Sequence, residues 1–486
     1  MAGKSVKRSP LPPVKPARDI CLELADHSHS TQSAVEFFGL KNSSDPARQA
    51  ARVTDQFLKQ NASLLKLLDV SIRRDYDGRD LLLEIESGSS VGAIPLRSPF
   101  TARHDFGLVI QPRFPWAGIG PMLAEMGWKI SPTPLKLPLL KRSERRVPPW
   151  VLSFTILSRL RALLDKLDRR FEQTSELRSS PKGQVNWNQY ATRHVPRGHF
   201  LSVPCTFPDL RDDRKLKGAI RFALEKQLHA LETQSTNGTF IHQLIAFAES
   251  LLARVASIAA RRPSLSDVEH WLHTPLRNDP LTDGLQAINW TIEDRGLAGL
   301  SDLEGIPWTL CMSQFFEAWV ETILRHLITR TGGHLTTGRQ RQTVAHLSWS
   351  PSYLGSQRSL IPDLILETED LSFIVDAKYK RHWEEMQHRP WQAQNQDLQE
   401  QHRADLLQVL AYANLARRKT TVCCLIYPCS WLTWESLENR GRLLHRAELP
   451  YRGRNVHLWL TAVPMHTNPG RIATALHHHL RSIPTH

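Results

Sequence analysis

The chain has 486 residues, too many for one ordinary domain and enough for about three at roughly 150 residues each. Its 41% hydrophobic content excludes a wholly disordered polymer, and 62 Lys plus Arg against 48 Asp plus Glu leave a formal charge of +14. A surplus of that size fits a polyanionic partner, nucleic acid or an anionic membrane surface, without choosing between them. No run of 18 or more apolar residues is present, and the most apolar long stretch, about 239–260, is interrupted by His242, Glu249 and Arg254. No membrane span is therefore expected.

The first 18 residues are basic and Pro-rich, with Lys4, Lys7, Arg8, Lys15 and Arg18, and lack the apolar core of a secretory signal. They read as a disordered arm, a solvated tail or a phosphate-touching one. Residues 17–68 have mixed polar and helical character. Leu81–Ile85 and Val91–Leu96 read as strands around the Gly88-Ser89-Ser90 turn, Gly107–Gln111 as a third strand and Pro121–Gly127 as a short helix. The Pro-rich basic stretch 136–149 marks a linker or exposed loop. Helical spacing of apolar residues then runs from Leu152 to Phe171, with further helices expected at Asp213–Leu231 and Thr239–Ala260. From about 305 the pattern becomes helix (Met312–Thr329), strand (Asp363–Glu367), strand (Phe373–Ala377), helix (Arg403–Ala416), strand (Thr421–Tyr427), a compact α/β arrangement.

The expected organisation is multidomain α/β: a variable segment 1–69, a β-rich region 70–135, a mostly helical middle 150–300, an α/β domain 305–465 and a tail 466–486. Six cysteines occur without CxxC pairs, which argues against a disulfide framework or zinc ribbon and for a reduced, cytoplasmic protein.

The strongest chemical signal is Pro362-Asp363 followed by Asp376-Ala377-Lys378. A tight turn around 368–372 would make a hairpin that brings both carboxylates to one end. Asp376 and Lys378, two apart, project from the same strand face. Two hard carboxylates beside a lysine suit metal-assisted phosphodiester hydrolysis. Asp363 and Asp376 can hold Mg²⁺, or Mn²⁺ in its place, with the Ala377 carbonyl as a further ligand. The metal would activate water and neutralise phosphate charge, while Lys378 orients the nucleophile and stabilises the transition state. The bland alternative is a surface hairpin whose Lys378 merely pairs with an acid.

Downstream, Gln408 and Tyr412 lie four apart on one helix face. Upstream, Glu317 flanks the apolar face of the preceding helix, with Glu321 one turn later as its competitor for a third acidic position. Arg339, Arg341, Lys380, Arg381 and Arg389 are candidate phosphate contacts. The His477-His478-His479 run reads as a solvated helix end, and the C-terminal tryptophans (Trp383, Trp391, Trp431, Trp434, Trp459) as packing first and base-stacking second.

Phe316-Glu317, Pro362-Asp363, Asp376-Ala377-Lys378-Tyr379-Lys380 and Gln408 with Ala411-Tyr412 together resemble the PD-(D/E)xK nuclease superfamily, and more narrowly the McrC family, the nuclease subunits of McrBC modification-dependent restriction systems. Weaker likeness extends to Val91-Gly92-Ala93-Ile94, Val109-Ile110-Gln111-Pro112-Arg113 (with Arg113 where a lysine is expected), Lys182–Trp187 and Pro196-Arg197-Gly198. The resemblance implies a restriction-endonuclease-like fold for the C-terminal domain, double-stranded DNA as substrate and an antiphage role. It also implies that Gln408 and Tyr412 support Lys378 and the DNA strand, as in RecB-type nucleases, and that Glu317 joins the metal centre. It implies a separate AAA+ GTPase hexamer docked on the N-terminal portion. The chain has no G-x-x-x-x-G-K-[ST] phosphate loop of its own. Two other readings stay open: a DNA-binding adaptor that regulates an AAA+ partner, and a stand-alone repair nuclease of the RecB type.

Overall fold

Strict alternation in Asp80–Ser87 buries Leu81, Leu83 and Ile85 on one face, which fixes this segment as a half-buried strand. In the computed structural model the described residues are 20–483, apart from 43–44, 79, 139–147, 168–170, 211–213, 273–278, 295–304, 382, 384–390, 419 and 452–453. The basic arm, most of the basic stretch at 136–149 and Arg389 lie outside them.

In chain order the first strands are β1 (Ile20–Ala25), β2 (His29–Ser33), β3 (Val70–Asp77), β4 (Asp80–Ser87), β5 (Ser90–Leu96), β6 (Phe106–Gln111) and the short β7 (Thr133–Pro134). The strands on either side of Gly88-Ser89-Ser90 are not a hairpin: β4 lies between β2 and β3, while β5 pairs with β6 in a second sheet. Residues 17–68 also contribute more strand than their composition suggested, β1 and β2 being short and partly polar. The helix Pro46–Leu67 is started by Asp45, whose side chain accepts from the Arg48 N–H, with Pro46 at the first helical position. A helix at Trp116–Glu125 replaces the expected 121–127.

The middle of the chain (149–296) is a compact unit of its own. Helices Trp150–Leu167, Arg214–Glu232, Thr239–Arg254, Leu265–Leu272 and Asp279–Ile292 surround a core that includes Leu160, Leu164, Ile220 and Leu244. The first of these is described as far as Leu167, and Phe171 opens β8 (Phe171–Arg178), which pairs with β10 (Val203–Leu210); β10 also pairs with β9 (Gln184–Val185). This unit therefore carries a small sheet as well as helices, and its helix from Thr239 ends at Arg254, short of residue 260.

The C-terminal region begins with β11 (Trp308–Cys311) and runs on through helix Met312–Thr331, β12 (His334–Thr337), β13 (Ala345–His346), β14 (Ser359–Leu360), β15 (Leu364–Glu367), β16 (Leu371–Ala377), helix Gln396–Tyr412 and β17 (Thr420–Cys429). Helix Trp431–Asn439, β18 (Leu444–Tyr451), β19 (Arg454–Pro464) and helix Pro469–Leu480 complete it. Its main sheet has the order β12-β15-β16-β17-β19-β18, parallel across β16, β17 and β19 and antiparallel elsewhere. Every residue of β17 is buried, which is why Thr421–Tyr427 reads as an unbroken apolar run. Helix Met312–Thr331 buries Phe315, Phe316, Trp319, Ile323 and Leu327, and the Trp319 indole donates to the Pro464 carbonyl at 3.1 Å.

Strand β11 pairs with β5 of the N-terminal sheet. Gly92 makes that possible: its φ is +152° and a Cβ there would lie 2.2 Å from the Trp308 carbonyl oxygen. The two ends of the chain, 1–148 and 297–486, thus form one compact unit. Among the described residues no helix is long and apolar enough to cross a membrane, and none of the six cysteines is paired in a disulfide.

Candidate active site

The antiparallel register Leu364↔Val375 sets Asp363, the residue just before β15, opposite Asp376 near the end of β16. The backbone completes the junction, because the Ala377 N–H donates to Asp363 Oδ2 at 2.8 Å. Asp376 is 1% exposed, and its Oδ2 pairs with Lys378 Nζ at 2.8 Å. The same ammonium donates to Gln408 Oε1 at 3.0 Å. Gln408 Nε2 donates to the Tyr412 hydroxyl at 2.8 Å, and that hydroxyl donates to the Ile361 carbonyl at 3.3 Å. A closed chain of polar contacts therefore runs from Asp376 through Lys378, Gln408 and Tyr412 back to the segment that carries Asp363. Tyr412 is anchored from below by packing with Ile374, Ala416 and Leu360.

Electrostatics mark the centre as short of positive charge. Burial, then the neighbouring Asp376 and Glu317 carboxylates, push the Asp363 carboxyl well above the ordinary carboxylate range. Burial likewise raises Asp376, against the pull of Lys378. Burial works against the Lys378 charge, but Asp376, Asp363 and Asp405 outweigh it and hold the ammonium above its usual value. Glu317 is raised by burial and by the acids around it.

Glu321, its competitor, is fully engaged elsewhere. Its carboxylate accepts from Lys129 at 2.9 Å, from Arg325 at 2.8 and 2.9 Å and from Arg339 at 2.6 Å. Burial alone would raise it, yet these three cations lower it to about 2. Glu317 is thus the acid left facing the pair.

Among the described residues no three His, Cys, Asp or Glu side chains are grouped as a ready-made metal cage. Glu317 reaches the pair through charge, without completing a chelating trio. The donor chemistry nonetheless fits a hard divalent cation: two opposed carboxylates, crowded enough to raise each other's proton affinity, beside the Ala377 carbonyl.

Three of the cations read as phosphate contacts are engaged within the protein. Lys380 Nζ binds both oxygens of the buried Asp405 at 2.8 Å, Arg339 neutralises Glu321, and Arg381 donates to the His27 carbonyl at 3.4 Å. Arg341 is in no ion pair among the described residues. Trp383, Trp434 and Trp459 are buried, as packing residues should be, while the Trp391 side chain lies outside the described residues.

Two features escaped the sequence. Asp405 lies one turn before Gln408 on the same helix, a placement that could have flagged it; it accepts from Lys380 and from the Tyr427 hydroxyl at 3.1 Å. Tyr379, between the two lysines, donates to Asp26 of the N-terminal region at 2.5 Å and carries the Arg113 guanidinium over its ring at 4.7 Å. Arg113 also donates to the Lys380 carbonyl at 3.1 Å, so this arginine ties the two regions together.

Residues 303–428 match the family model described as McrBC 5-methylcytosine restriction system component, a segment that contains Glu317, Asp363, Asp376, Lys378, Gln408 and Tyr412. The resemblance to McrC-like restriction subunits is borne out over that segment. Among solved structures, a chain of the refined half-complex from a tetradecameric assembly of Thermococcus gammatolerans McrB AAA+ hexamers with bound McrC is 15% identical, with a TM-score of 0.41, covering 96% of this chain and 100% of that one. A chain of the Thermococcus gammatolerans McrBC complex is 13% identical, with a TM-score of 0.26, covering 63% of this chain and 88% of that one. No curated protein matches the chain.

Proposed function

We propose that this chain is the nuclease subunit of an McrBC-type antiphage restriction system, a metal-dependent endodeoxyribonuclease with a PD-(D/E)xK domain that cuts double-stranded DNA together with a separate AAA+ NTPase. The observation that carries the reading is the opposed pair Asp363 and Asp376, with Lys378 held between Asp376 and Gln408. Asp363, Asp376 and the Ala377 carbonyl would hold Mg²⁺ or Mn²⁺, with Glu317 as the nearby third acid. When bound, the cation offsets the charge that builds up on the scissile phosphate.

The chain's own residues supply the rest. Lys378 presents a permanent positive charge at the edge of the acidic pair, where an attacking water and a phosphate oxygen must meet. Gln408 and Tyr412 fix the direction of that charge through a relay that ends on the backbone beside Asp363. Gly338 N–H donates to the Asp363 carbonyl at 2.7 Å and Ala377 N–H to its carboxylate at 2.8 Å, so both the backbone and the side chain of Asp363 are held.

The partner reading rests on the family matched by 303–428 and on the lack of a phosphate-loop motif in the sequence. The test is cleavage of supercoiled plasmid by the full chain in Mg²⁺ and in EDTA, alone and with an McrB-type AAA+ NTPase. Mg²⁺-dependent cutting that rises with the AAA+ protein and hydrolysable nucleotide supports the reading. Equal cutting without any NTPase favours a stand-alone nuclease, and NTPase stimulation without cutting favours the adaptor.

A further inference from the structure

Between Glu321 and Asp363 the sequence contains no Asp or Glu, while it places Arg325, Arg330, Arg339, Arg341 and Arg358 there. The later part of this stretch is built as an arm. Strands β13 and β14 pair, the Leu347 N–H donates to the Arg358 carbonyl at 2.8 Å, and residues 347–355 form an exposed tip.

The tip presents large apolar side chains to solvent: Trp349 is 47% exposed, Tyr353 59% and Leu354 77%. These side chains are organised, since the Trp349 indole donates to the Gln357 carbonyl at 2.9 Å and meets the Tyr353 ring edge-on at 6.4 Å.

The root of the arm is fastened to the candidate active site. Thr343 Oγ1 donates to the Pro362 carbonyl at 2.6 Å, and Gly338 approaches so closely that a Cβ there would lie 2.7 Å from the same oxygen. Leu360 packs against the cluster holding Tyr412, and Asp363 follows three residues later.

The geometry points to a DNA-engaging arm: Trp349, Tyr353 and Leu354 form an apolar wedge that contacts duplex DNA beside the phosphate to be cut, with Arg341 and Arg358 on the flanking backbone. The position beside the cut rests on the nuclease reading of Asp363 and Asp376; the DNA contact does not. Duplex DNA is the occupant that suits an arm with no acid of its own, with Arg341 and Arg358 toward its base and aromatic and aliphatic side chains at its tip, because such wedges enter between base steps while arginines take phosphates. Neither Arg341 nor Arg358 is in an ion pair among the described residues, unlike Arg325 and Arg339, which Glu321 neutralises.

The test is fluorescence anisotropy of a short labelled duplex with the full chain in EDTA, across a salt series. The variants are Trp349→Ala, Tyr353→Ala, Leu354→Ser, Arg341→Gln and Arg358→Gln. All five positions are exposed, so thermal midpoints should stay at the wild-type value. The expected result is that each aromatic variant weakens duplex binding by roughly tenfold at an unchanged salt slope. Each arginine variant should lower that slope by about one.

Unchanged affinity in all five overturns the proposal. So does a change in self-association with duplex affinity intact, which would make the tip an interface between copies, and so does tighter binding of single strands than of duplex. Cleavage that survives Asp376→Ala while the arm variants lose binding would sink the nuclease reading and leave the DNA contact standing.

Discussion

The Tyr379 hydroxyl donates to Asp26 Oδ2 at 2.5 Å across 353 residues of sequence, joining the end of the Asp376–Lys380 segment to the N-terminal sheet. Asp26 is 1% exposed, and its other oxygen accepts from the Arg113 N–H, also at 2.5 Å. Both contacts are short and charge-assisted, the kind worth about twice a neutral hydrogen bond. Asp26→Ala should lower unfolding free energy by about 2–4 kcal/mol, because it leaves a buried tyrosine hydroxyl without an acceptor. Tyr379→Phe should cost about 1–2 kcal/mol. Denaturant unfolding of both and of the double variant checks this: the losses should not add, since the two changes remove one shared contact.

Metal dependence has a readout independent of cutting. Wild-type protein should melt at higher temperature in Mg²⁺ than in EDTA, by the mass action of a ligand that binds only the folded state. Asp363→Asn should lose that difference and should not melt below wild type in EDTA, because it removes a carboxylate that burial and its neighbours disfavour. Differential scanning fluorimetry in the two buffers measures both effects.

Gln408 is exposed, yet it holds Lys378 on one side and Tyr412 on the other. Gln408→Ala should lower the cleavage rate at saturating DNA by about tenfold or more, the scale of a lost positioning contact. Its thermal midpoint should stay near wild type. Single-turnover cleavage kinetics separate this loss of rate from a loss of DNA affinity.

Glu317 and Glu321 should part company. Glu321→Gln removes a buried carboxylate shared by three cations and should cost about 3 kcal/mol or more. With its folded pKa near 2 against an ordinary value of 4.5, Glu321 stabilises the fold fully above about pH 4.5. That contribution fades as pH falls toward 2, so wild type should lose more stability on acidification than Glu321→Gln. Glu317→Gln should leave stability near wild type and reduce cleavage. Urea unfolding at neutral and acidic pH, beside plasmid cleavage, distinguishes the two acids.

The chemistry of the candidate site was legible because its parts are local. An apolar run leads into Asp376, the strand period places Lys378 beside it, and helical spacing puts Gln408 and Tyr412 together. What stayed hidden depends on long-range neutralisation. Arg339 and Lys380 are indistinguishable from free phosphate ligands until Glu321 and Asp405 are seen to take them. The Asp26 contact with Tyr379 has no sequence signal at all, since both residues sit in short polar–apolar mixtures far apart in the chain. The same limit applied to the fold: β4 and β5 each showed strand character, but nothing local revealed that they enter different sheets.

The most direct test is single-turnover cleavage of supercoiled DNA in Mg²⁺, with the proposed AAA+ NTPase present, by wild type and by Asp376→Ala and Lys378→Ala. Wild type should linearise the plasmid, EDTA should stop it, and each variant should fall by at least about a hundredfold while remaining folded. Cutting at the wild-type rate by either variant would rule out Asp376 and Lys378 as the catalytic centre.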